Sequence, residues 1–168
     1  MLVRGATLTT ASVWDDTDVV HVLLDQTIYV PDQHTLGGLR LQSSPTESLV
    51  VKLRGANAGF TATGRPLDIT DRIGGSLQII GQPRSPVVLT SIGDDTVGAG
   101  FEPDGTPQVD TDNNGIDTGQ SDFPRLPTGP EVNNGLLVDN DVLVNMSGHF
   151  EAQPTAGGNI SFLGGGSG

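Results

Sequence analysis

At 168 residues the chain is long enough for one domain with a real core, and its 35% apolar share, arranged in regular Val/Leu/Ile runs, excludes a wholly disordered polymer. A net charge of −12 and a pI near 4.2 argue against nucleic acid or anionic membrane as partner, because phosphate binding needs basic patches. With no cysteine, neither a disulfide framework nor a thiolate metal site is available.

The choice of charged residue is uneven: 16 Asp against 4 Glu, and 7 Arg against a single lysine, Lys52. Asp serves turns and hard cations, whereas Glu and Lys serve helix surfaces, so a loop-rich, helix-poor protein is expected. No apolar run is long enough to span a bilayer, and "MLVRGATLTT" is too polar for a signal peptide. An extracellular or cell-surface location would therefore make this chain an excised piece of a larger protein.

In chain order, the expected strands are the apolar runs "VVHVLLDQTIYV" (19–30), "LGGLRLQS" (36–43), "SLVVKLRG" (48–55), "LDIT" (67–70), "SLQIIG" (76–81), "PVVLTS" (86–91), "GLLVDNDVLVNM" (135–146), "GHFEA" (148–152) and "NISFL" (159–163). In the third of these Leu49, Val51 and Leu53 share one face, with Val50, Lys52 and Arg54 on the other. His21, between Val20 and Val22, reads as an outward position. Residues 102–134 contain almost nothing to bury and read as a long polar loop. The closing "GGGSG" (164–168) reads as a flexible linker or tail. No stretch sustains helical spacing, so residues 1–163 are read as one all-β domain.

Two architectures compete, a β-sandwich and a short right-handed parallel β-helix. Few aromatics and no evident hairpins count against the sandwich, since neither Asn114-Gly115 nor Asn134-Gly135 follows an alternating strand. In a parallel β-helix, short strands joined by corners stack so that small aliphatic residues lie over one another. Leu77 and Ile79 would then point inward on one strand and Val87 and Leu89 on the next, with a corner from Gly81 to Pro86.

The stretch "GSLQIIGQPRSPVVLTSIGDD" resembles the repeating unit of right-handed parallel β-helix (pectate-lyase-like) segments in large secreted or surface proteins of bacteria. The likeness rests on Val30, Pro31, Leu77, Gly81, Pro86, Val87, Thr90, Ser91, Asp94 and Asp95, and covers about residues 13–101. "VWDDTDVVHVLLDQTIYVPDQ" resembles the entry segment of such a helix. The resemblance implies coils over 13–101 and fades after Phe101; the polar loop over 102–134 and terminal strands over 135–163 are read from the residues themselves. On activity the resemblance is nearly silent; the function expected of such a stack is a non-enzymatic structural or adhesion module of a filament or matrix, whose partners are copies of itself, neighbouring domains or surface polysaccharide. A polysaccharide lyase or hydrolase is the competing function.

The sharpest chemical signal is "DTDNNGID". Asp110, Asp112, Asn114 and Gly115 have the spacing of positions 1, 3, 5 and 6 of a calcium loop, in which alternating side chains on a curled backbone converge on a hard cation. Ile116 would add its carbonyl at position 7. Position 12 is Ser121 where a bidentate Glu is usual, so Asp117 or Asp122 would have to complete the shell. A solvated acidic loop is the plain reading of the same residues.

Other acidic groups are weaker signals. Asp15, Asp16 and Asp18 surround Trp14 as a turn would, and Asp139 and Asp141 suit a charged edge strand. Asp94 and Asp95 match the paired carboxylates of a glycosidase only if the backbone turns between them; a strand-ending turn accounts for them otherwise. His21, His34 and His149 form no metal or catalytic spacing. Lys52, beside Arg54, reads as a surface charge.

Overall fold

The computed structural model describes residues 1–31, 38–55, 57–62, 76–82, 84–116, 142–145, 149–152 and 159–163. Among these there is no helix, and twelve short strands account for the regular structure: β1 (Leu2–Val3), β2 (Ser12–Trp14), β3 (His21–Leu24), β4 (Thr27–Val30), β5 (Leu39–Gln42), β6 (Leu49–Arg54), β7 (Gly59–Ala62), β8 (Ser76–Ile80), β9 (Val87–Ser91), β10 (Val142–Asn145), β11 (His149–Ala152) and β12 (Asn159–Leu163). They form three sheets, ordered β1-β3-β6-β9-β10, β4-β7-β11 and β2-β5-β8-β12. Every ladder between named strands is parallel, so the antiparallel pairing of a sandwich is not what these residues adopt. Residues 67–70 and 135–141 of the expected runs lie outside the described residues.

The chain visits the sheets in turn. β3, β4 and β5 lie in the first, second and third sheet, and β6, β7 and β8 repeat that order one layer further on. The run expected as one strand over 19–30 breaks at Asp25, whose φ of 50° turns the chain from the first sheet into the second. The next layer turns at the same place through Gly55 (φ 103°). A Cβ there would lie 2.7 Å from Asp25 Oδ1, so only glycine lets the two corners stack. Asp25 Oδ1 then accepts N–H bonds from Asn57 N and Nδ2, both 3.1 Å.

Register puts like side chains in columns. Leu39 lies over Leu77, and Leu41 over Ile79. Leu49 lies over Val87, and Val51 over Leu89. These residues are fully buried in one cluster with Leu23, Leu53, Phe60 and Ala62. The inward assignment of Leu77, Ile79, Val87 and Leu89 is therefore correct. Each such side chain contributes roughly 1.5–3 kcal/mol of burial. β7, "GFTA", was not expected as a strand; pairing on both sides, with β4 and β11, makes it one.

Two expectations for single residues are overturned. His21 is 2% exposed: its register partner is Val51 of the core column, and its ring stacks on Trp14 at 5.1 Å. Lys52 is fully buried, although it sits on the outward face of the first sheet. The reason is a second apolar cluster on that face, in which Val20, Val22, Val50 and Val88 are covered by Ile92, Val97 and Ala99. The start of the excursion after β9 folds back as a strap instead of projecting throughout.

Candidate functional site

The strap begins where β9 ends. Asp94 is 3% exposed, and its carboxylate accepts bonds from the hydroxyls of Thr90 and Thr96 and from Thr96 N (3.0 Å). Burial pushes its pKa up, but those hydrogen bonds and the charge of Lys52 outweigh it and hold the group below its ordinary value. The aspartate pair thus ends the strand, as one reading expected, and Asp94 is tied up within its own turn.

Beyond the turn, Phe101 pairs with Pro107 across a tip at Asp104 and Gly105. Gly98 lies so close to the returning backbone that a Cβ would sit 1.9 Å from Gln108 O. Lys52 joins the two limbs: its ammonium donates to Asp94 O at 2.7 Å and to Val109 O at 2.8 Å. Burial lowers its pKa, opposed by the negative charge of Asp95, Asp94, Asp112 and Asp110.

Above this lysine lie three carboxylates. One oxygen from each of Asp95, Asp110 and Asp112 falls within 4.8 Å of the others, and all three residues are half-buried. The loop curls through Asn113 (φ 55°) and Gly115 (φ 67°). Asp110 accepts from Asn114 N (3.2 Å) and Gly115 N (2.8 Å), and the Gly115 bond leads in holding its pKa below the usual range. Asp112 Oδ2 accepts from Asn114 Nδ2 (2.7 Å), while Asp112 Oδ1 is buried without a hydrogen-bond partner.

Of the residues expected to bind a cation, Asp110 and Asp112 are brought together. Asn114 is not turned to them as an oxygen donor, since its Oδ1 accepts from Ile116 N at 2.6 Å. Ile116 is exposed, and Asp117 and Asp122 lie outside the described residues, as do Asp139 and Asp141. Asp95 was missed. Its place in the Asp-Asp pair was visible, but that the strap would fold it against Asp110 was not. Asp15, Asp16 and Asp18 join no such group among the described residues.

Beside the strap runs a groove of about 510 Å³, walled by Leu2, Val22 and Leu24, with Arg54 and Asp112 also lining it. No family model, no curated protein and no solved structure matches the chain.

Proposed function

We propose that the chain is a non-enzymatic structural or adhesion module of a large extracellular or cell-surface protein, built as a short right-handed parallel β-helix and stabilised by calcium. The observation that carries this reading is the repeated passage of the chain through three parallel sheets with aliphatic residues in register. Such a stack is a rigid spacer whose length is set by the number of coils and whose ends remain open to neighbours. Asp94 is enclosed in its own turn, and Asp95, Asp110 and Asp112 are grouped with one another.

The group Asp95, Asp110 and Asp112 fits a hard cation. Three carboxylate oxygens converge, Asp112 Oδ1 has no donor, and Lys52 offsets only one of the negative charges. Calcium takes six to eight oxygens, so these residues would fill part of the shell and water the rest. When bound, the ion would hold the strap's two limbs together from outside as Lys52 does from beneath.

A melt with and without millimolar calcium tests this. Calcium is expected to raise the Tm by several degrees, with the gain lost in Asp95→Asn; identical melts in calcium and EDTA would remove calcium from the reading. Incubation with acidic polysaccharides tests the rest. Release of cleaved products, abolished in Asp94→Ala and Asp95→Ala, would replace the structural reading by an enzymatic one.

A further inference from the structure

Asn114 and Gly115 stand exposed on the returning limb of the strap, and among the described residues they alone form an asparagine followed by glycine. Asn57, Asn113, Asn145 and Asn159 are each followed by a residue with a side chain. The distinction is chemical. A backbone nitrogen can attack the side-chain amide of the residue before it, and glycine, having no Cβ, leaves that nitrogen unshielded. A Cβ at Gly115 would meet nothing within 4 Å, so the space around the pair is open.

Three bonds of the curled loop prepare this attack. Asn114 Oδ1 accepts from Ile116 N at 2.6 Å, which closes a ring containing both Asn114 Cγ and Gly115 N and draws electrons from the carbon to be attacked. Gly115 N donates to Asp110 Oδ2 at 2.8 Å, so a carboxylate stands where the nitrogen's proton must go. Asn114 Nδ2 donates to Asp112 Oδ2 at 2.7 Å, which fixes the nitrogen that would leave.

We infer that Asn114 is a self-modifying site, converted to aspartate with water as the sole co-reactant. Gly115 N bonds to Asn114 Cγ while its proton passes to Asp110. The bond from Cγ to Nδ2 breaks, and the nitrogen takes that proton and leaves as ammonia. Water then opens the cyclic imide, giving aspartate at position 114 or its isoaspartate isomer. The balance is water in and ammonia out, with nothing oxidised or reduced.

The product changes the acidic group beside it, and this consequence rests on the calcium reading. Where Asn114 Nδ2 donated to Asp112 Oδ2, one carboxylate oxygen now faces another, and like charges so close need a cation or a proton between them. The fifth position of the loop thereby gains the charged oxygen that a hard cation favours. Calcium acts in return on the reaction: by drawing Asp110 into its shell it takes the proton acceptor from Gly115. The ion shields Asn114, and its removal starts the conversion.

The folded chain, held near neutral pH at physiological temperature in EDTA or in millimolar calcium, is mapped by peptide mass spectrometry over several weeks. Asn114 is expected to be the first of the described asparagines lost, with ammonia released in step, and to be lost more slowly in calcium. Asp110→Asn is expected to slow the loss about tenfold or more, because the proton acceptor is gone. Asn114→Asp, made directly, is expected to melt below the parent in EDTA and to gain more from calcium. Asn114 still intact when Asn57 or Asn113 has converted, or lost from Asp110→Asn at the parent's rate, would overturn the inference; if Asp110→Asn does not fold, the order of loss in the parent decides alone. Equal loss and equal melts in EDTA and calcium would defeat the calcium reading and leave the self-modification standing.

Discussion

His21 holds a titratable ring where an aliphatic residue would serve as well. Burial lowers its pKa, helped by the positive terminus of Met1 and opposed by Asp16. Its Nδ1 has no hydrogen-bond partner. The unfolded chain therefore takes up a proton near pH 6.5, before the folded chain does. Stability is complete above that pH and falls as the pH drops towards the folded value. Urea titrations over this range are expected to show that slope in the parent chain and a markedly flatter one in His21→Leu. Neither His21 nor Lys52 was legible as buried, because residue type suggested surface and local alternation says nothing of what covers a face. Val51 and Leu53 were legible, since alternation and hydrophobicity agree there.

At the scale of elements the strap is the part the sequence concealed. Its residues are mostly Gly, Thr, Asp and Pro, the composition of a solvated loop, yet Ile92, Val97 and Ala99 seal the outward face of the first sheet. The fastening is Lys52, which holds carbonyls from both limbs. Lys52→Met keeps the length and apolar stem but leaves two buried acceptors unmet, at about 1–3 kcal/mol each. The expected outcome is a loss of about 2–4 kcal/mol in chemical denaturation, together with faster proteolysis between residues 97 and 116. A melt unchanged from the parent would mean that the strap holds without its lysine. The acidic group was half legible for a related reason: the spacing in "DTDNNGID" marked Asp110 and Asp112, but Asp95 arrives from another limb by a contact that spacing cannot encode.

For the whole molecule, short apolar runs bounded by turn residues were enough to indicate an all-β chain, and nine of the twelve strands fall within them. β1, β2 and β7 were hidden because they are short or rich in small residues, and pairing alone makes them strands. The core column is continuous through the layers, so a gap in it should be felt by the entire stack. Phe60 is fully buried between Ile28 and the next layer and meets Trp14 edge-on at 5.9 Å. Phe60→Ala is expected to cost about 3–5 kcal/mol in a single cooperative transition. Two separate transitions would show that the coils melt independently.

The fifth strand of the first sheet has a consequence of its own. The chain departs that sheet after β9 and rejoins it at β10 directly alongside. The tip of the described strap, at Asp104 and Gly105, faces open solvent, with nothing within 4 Å of where a Gly105 side chain would begin. Foreign sequence spliced at that tip would ride on the scaffold as a passenger, leaving the stacked layers to fold beneath it.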